Sequence, residues 1–131
     1  MRSRSRATLT LLVLGAVMAG QPQTQAASAP AAKLTLRPSY GGAVLEGRVF
    51  VPRTDALIGV WSGAGFARLM KCAPRCTVVP SIPLSNTMVF GNASAYRVAL
   101  GGDFRPGQKV NVTLRLRGQG VVITQAVVSP R

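Results

Sequence analysis

The chain has 131 residues, with 16 Lys/Arg against three Asp/Glu and no histidine, for a net charge of +13. With carboxylates only at Glu46, Asp55 and Asp103, general acid–base chemistry has no group near neutral pH except the two cysteines. A cysteine nucleophile normally needs a histidine or comparable activation. The expectation is a binding protein, not an enzyme, with no catalytic residue.

The N-terminus reads as an export signal. Arg2, Arg4 and Arg6 form a basic start, Ala7 to Ala19 is mostly apolar, and a polar, alanine-rich stretch runs from Gln21 to Ala32. The apolar run falls short of the ~20 residues that a membrane-spanning helix requires. Residues 1–29 are therefore assigned to a secretory signal, with cleavage between 19 and 29, and no transmembrane helix is expected in the mature chain. The expected location is outside the cytoplasm, periplasmic or extracellular. Residues 30–42 are read as an N-terminal extension or first strand, and 43–131 as one domain.

From there the pattern is strand-like. Lys33 to Arg37 alternates, and so does Ala43 to Val51, with Glu46 and Arg48 on the even side. Period-two alternation turns one face to a core and the other to water. Leu57 to Trp61 is a short apolar run, apolar enough to be covered on both faces. Phe66 to Lys71, Thr77 to Val79, Thr87 to Phe90 and Ala95 to Leu100 follow. Lys109 to Arg117 alternates most cleanly, and the Gly118-Gln-Gly120 turn returns the chain as Val121 to Val128. Turn signals separate these runs. The fold class expected is all-β: a single antiparallel β-sandwich of seven to nine short strands.

Both cysteines lie in Arg68-Leu-Met-Lys-Cys-Ala-Pro-Arg-Cys76. Three chemistries are open to this stretch. In an oxidising compartment two close thiols usually form a disulfide, and a Cys72–Cys76 bridge needs Cα atoms ~4.4–6.8 Å apart. So small a loop would fix a turn more than it would stabilise the domain. Alternatively, Met70, Cys72 and Cys76 supply soft sulfur donors of the kind that select Cu(I). Thiol–disulfide exchange is the third. Zinc fits less well, because a structural site wants four ligands. The arginines are scattered singly, with little aromatic interleaving, so no specific nucleic-acid site is expected. The basic surface should attract an anionic polymer or surface of the envelope.

The stretch from Thr54 to Val128 resembles the periplasmic copper chaperones of the PCuAC type. Asp55-Ala-Leu-Ile-Gly-Val60 is similar to the family's acidic, Leu, Gly-Val strand. Arg68-Leu-Met70 resembles the strand that ends in the first copper-binding histidine, and Val79-Pro-Ser-Ile-Pro-Leu84 resembles the Ser/Ile-Pro segment. Tyr96-Arg-Val-Ala-Leu100 and Arg105 to Arg117 are similar to the last two strands of the family domain. The resemblance implies a cupredoxin-like sandwich, copper as cargo, and a copper-recipient or other envelope protein as partner. The family binds copper through His and Met. Its first His falls on Met70, its first Met on Cys76, and its closing His-x-Met pair on Arg97 and Ala99. The last two positions have therefore lost their donors, and a guanidinium does not shed its charge in proteins. A copper-chaperone-like protein with a degenerate site, binding Cu(I) through Met70, Cys72 and Cys76, is the reading that follows. The alternative is a metal-free accessory module with a Cys72–Cys76 disulfide and a basic surface for an anionic partner.

Overall fold

The alternating runs fold as strands throughout. A computed structural model describes residues 29–91 and 94–130, so the signal-like segment 1–28 lies outside the described residues. In chain order the strands are β1 Ala31–Ser39, β2 Gly42–Phe50, β3 Asp55–Ser62, β4 Gly65–Phe66, β5 Arg68–Cys72 and β6 Cys76–Val78. They continue with β7 Ile82–Leu84, β8 Thr87–Phe90, β9 Tyr96–Gly101, β10 Lys109–Leu116 and β11 Gly120–Val128. Eleven strands exceed the seven to nine expected. Ala67 divides the Phe66–Lys71 run in two, and Ile82–Leu84 adds a short ladder against β3. No helix among the described residues is long and apolar enough to cross a membrane.

All strands join one sheet in the order β4-β3-β10-β11-β1-β2-β9-β5-β6, with β7 on β3 and β8 on β2. The sheet curls into a sandwich-like, cupredoxin-like body. Every ladder is antiparallel except β1–β11, which is parallel with Thr35 opposite Val127. The N-terminal segment therefore sits inside the sheet, between β11 and β2.

Alternation fixes which side chains are covered. On β10, Val110, Val112, Leu114 and Leu116 are buried while Lys109, Asn111 and Arg115 face water. β3 departs from the expected run covered on both faces. Its register against β10 shifts between Arg115, opposite Gly59, and Leu116, opposite Leu57. This β-bulge adds a residue, so Leu57 and Val60 both point inward while Ile58 and Trp61 stay half-exposed. The core combines these with Leu36, Leu45, Ile82, Phe90, Val98 and Leu114. Each such side chain contributes ~1.5–3 kcal/mol by leaving water. No polar or charged residue is buried among the described residues.

One glycine is decisive for the path of the sheet. β2 pairs with β9 through Gly42–Val44 and with β8 through Gly47–Phe50. At the change of partner Gly47 has φ 126°, and a Cβ there would overlap the carbonyl oxygen of Lys33 on β1. Only glycine combines that dihedral with that approach. On its other edge β9 carries β5 and then β6, where the cysteines lie.

Candidate functional site

The site is built on the three-strand patch β9–β5–β6. Arg68 lies opposite Ala99, Leu69 opposite Val98 and Met70 opposite Arg97. Across the other edge of β5, Met70 lies opposite Val78 and Cys72 opposite Cys76. Leu69, Val98 and Leu100 turn into the core. Strand alternation therefore gives Arg68, Met70, Cys72, Arg97 and Ala99 to the outer face, together with Cys76 and Val78. Directly opposite residues hold their Cβ atoms ~4.5–5.5 Å apart. The four positions matched to the family's ligands, Met70, Cys76, Arg97 and Ala99, thus converge on one face within three strands.

Cys72 and Cys76 are joined by a disulfide, with sulfurs 1.98 Å and Cα atoms 3.8 Å apart. The Cα separation is tighter than the interval expected from the sequence, and the two residues are direct partners across a hairpin. The bridge closes the turn Ala73-Pro74-Arg75. Cys72 N–H donates to Ala95 O at 2.6 Å and Val79 N–H to Leu69 O at 2.8 Å, which pins the hairpin on both flanks. The thiolate pair needed for a soft-metal site is absent in this oxidised form, and no free cysteine remains.

The electrostatics around these sulfurs are cationic. Arg97 is half-buried, with Nε removed from solvent beside Met70. Arg68, Lys71 and Arg75 are exposed on the same hairpin. The three carboxylates are engaged elsewhere. Glu46 pairs with Arg37 at 2.7 Å, and Asp103 lies 3.9 Å from Arg105. Asp55 accepts from Gly118 N–H at 2.8 Å, from Ala56 N–H at 2.7 Å and from Gln119 Nε2 at 2.9 Å. Burial pushes its carboxyl up, but these hydrogen bonds outweigh it and hold the group below its ordinary value. No cluster of three or more His, Cys, Asp or Glu side chains suited to a metal occurs among the described residues.

The family's His/Met donor set does not fit the residues present. Met70 offers a thioether, Cys76 is locked in the bridge, Arg97 is a fixed cation and Ala99 has no donor atom. A different set, Met70 with Cys72 and Cys76, shares one face and becomes available only on reduction. Beside this patch lie two clefts that sequence patterning does not announce. One, about 280 Å³, is lined by Tyr40, Phe66, Arg68 and Ala99. The other, about 370 Å³, is lined by Trp61, Phe66, Arg68, Val78, Pro80 and Arg115. The only advance signal is Ser62-Gly-Ala-Gly65, a turn that sets Trp61 opposite Phe66 with ring centroids 5.8 Å apart.

No protein-family model and no curated protein sequence matches the chain. Its fold does match solved structures. The apo PCuAC domain from PmoF1 is similar with a TM-score of 0.60 and 20% identity, over 74% of this chain and 90% of that one. The copper-bound PCuAC domain from PmoF2 gives 0.60 and 25% identity, over 75% and 89%. The solution structure of CuI-DR1885 from Deinococcus radiodurans gives 0.58 and 20%, over 76% of each chain. The chain is therefore PCuAC-like in fold, a divergent version of that scaffold in which the family's metal motif is not retained.

Proposed function

We propose that this is an exported, copper-chaperone-like protein that takes up Cu(I) only when its Cys72–Cys76 bridge is reduced. Met70, Cys72 and Cys76 are the donors, and a copper-recipient protein of the periplasm or cell surface is the partner. The single observation that carries the reading is the placement of all three sulfurs on one face of the β5–β6 hairpin, at the position matched to the family's ligands. Soft thiolates and a thioether select Cu(I) over harder cations. Reduction supplies two thiols, which lose their protons as they take up the ion. The protein's role is to bind and hand over the ion, and no catalytic group is assigned.

The closed disulfide favours a second reading, a metal-free accessory module on the same scaffold. Arg97 and Ala99 at the lost His-x-Met positions favour it as well. The two readings part in one experiment. Cu(I) is titrated against a chromogenic chelator into the oxidised protein, the dithiol protein, and the dithiol form of Met70→Leu. The first reading expects tight, one-to-one binding by the dithiol protein alone, weakened at least tenfold in Met70→Leu. Equal weak binding by all three forms would refute it and leave the accessory module.

A further inference from the structure

We infer that the surface formed by Tyr40, Phe66, Arg68, Trp61 and Val78 docks an acidic protein segment that carries an exposed apolar side chain. The inference does not depend on copper. It gives the metal-free reading a partner chemistry, and it holds equally if the dithiol form binds Cu(I).

The apolar part of the surface is unusual in its exposure. Tyr40 is 106% exposed, Phe66 82% and Val78 68%, although each belongs to a residue type that folding normally covers. They are not scattered. Phe66 and Arg68 line both clefts, so the 280 and 370 Å³ spaces lie on either side of one ridge. Tyr40 walls the first cleft, and Trp61 with Val78 walls the second. The second cleft is mostly apolar and the first mostly polar, and Trp, Tyr and Arg side chains gathered around such paired clefts are the composition of protein-binding hot spots. The walls come from both ends of the curled sheet, β3–β4 and β5–β6, and from the β1–β2 turn at Tyr40, and Ala67 N–H donating to Val60 O at 2.8 Å extends the β3–β4 ladder up to the start of β5.

Charge decides the occupant. Arg68 and Arg115 line the clefts and no carboxylate does. A second copy of this chain, with its own excess of Lys and Arg over Asp and Glu, would bring like charge to the same arginines. Its own segment 1–28 carries Arg2, Arg4 and Arg6 and no carboxylate, so it fits no better. A segment rich in Asp and Glu answers both arginines, and one apolar side chain within it answers the cleft that Trp61, Phe66 and Val78 line together. Opposite charges steer the encounter, and the buried anchor sets how long it lasts.

Trp61 is the only tryptophan of the chain, so its emission reports directly on the second cleft. The test titrates the oxidised, copper-free protein with a short peptide of Asp and Glu around one central Phe. Parallel arms use the same peptide with Ser in place of Phe, and phosphatidylglycerol vesicles. The expected result is a saturable shift of Trp61 emission with the Phe peptide. Affinity should fall at least tenfold for the Ser peptide and for the doubly substituted Arg68→Glu/Arg115→Glu protein. Both arginines are exposed, and an unchanged thermal midpoint shows that the variant is folded. Four results would overturn the inference: no saturable response, equal binding of both peptides, binding untouched by the charge reversals, or a vesicle response without a peptide response. Dimerisation in sedimentation that blocks the peptide would overturn it in favour of a second copy.

Discussion

Removing the positive charge at position 97 should weaken Cu(I) binding by the dithiol protein, and the size of the loss can be worked out. Cu(I) held by two thiolates and a thioether forms from a neutral dithiol with release of two protons, so binding leaves one net negative charge at the sulfurs. Arg97 lies directly opposite Met70 on the neighbouring strand. Opposite unit charges at a separation of about 6 Å attract by ~0.7 kcal/mol in full solvent dielectric and by ~2.8 kcal/mol at an effective dielectric of 20. Arg97→Gln keeps much of the side chain's length and removes the charge. Its dithiol form should therefore bind Cu(I) roughly three- to a hundredfold more weakly. Arg97→Lys keeps the charge and should match the parent. The measurement is an anaerobic competition titration with a chromogenic Cu(I) chelator, with the thermal midpoint as the folding control. An affinity for Arg97→Gln equal to or above the parent's would refute the placement of copper beside Met70. A loss shared by Arg97→Lys would show that the guanidinium's shape, not its charge, is responsible.

Restoring donors should act in the opposite direction. Arg97→His combined with Ala99→Met places an imidazole opposite Met70 and a thioether beside the first cleft, and should confer copper binding even with the disulfide intact. Equilibrium unfolding should show that reduction of Cys72–Cys76 costs about 2 kcal/mol, the loop-closure term for so short a ring, and leaves the sheet folded. Gly47→Ala should cost more than about 1 kcal/mol in denaturant unfolding, because both the φ of 126° and the approach to Lys33 O exclude a Cβ. The depressed Asp55 carboxyl contributes stability that is present above its ordinary value near 3.8 and is lost as pH falls through its lowered folded value. Asp55→Asn should accordingly flatten the loss of thermal stability between about pH 5 and 2. It should also lower stability at neutral pH, because the amide nitrogen would meet the donor Nε2 of Gln119.

The strands were legible because alternation survives in nearly every one. Lys109 to Arg117 and Ala43 to Val51 show their buried face directly. Ile82–Leu84 was not, since a three-residue ladder containing Pro83 has too little length for a period. Nor was the bulge at Ile58, which makes Leu57 and Val60 face the same way three residues apart. The parallel β1–β11 pair is a long-range match that no local pattern encodes. At the site, the shared face of Arg97 and Ala99 followed from period two. The pairing of Met70 with Arg97 depended on inter-strand register, which the spacing of two separate runs does not fix. The docking surface escaped for the same reason: Tyr40, Phe66 and Val78 belong to three different turns or strands, and only the curl of the sheet gathers them.

That separation between what alternation encodes and what register assembles explains how one scaffold can carry such different chemistry. On β9, Val98 and Leu100 close the core, while Arg97 and Ala99, one residue away, define the site. On β5, Leu69 is buried between Arg68 and Met70, which are not. Exchanging a ligand for an arginine on the outer face alters no core contact, so the fold imposes little penalty on losing the metal. The cost is local and electrostatic: four cationic side chains, Arg68, Lys71, Arg75 and Arg97, now share one hairpin and its neighbour. Their mutual repulsion is relieved by any anionic partner that settles beside them. On the metal-free reading, the same substitutions that remove copper donors add cations to the outer face, and they do so without any change to the core.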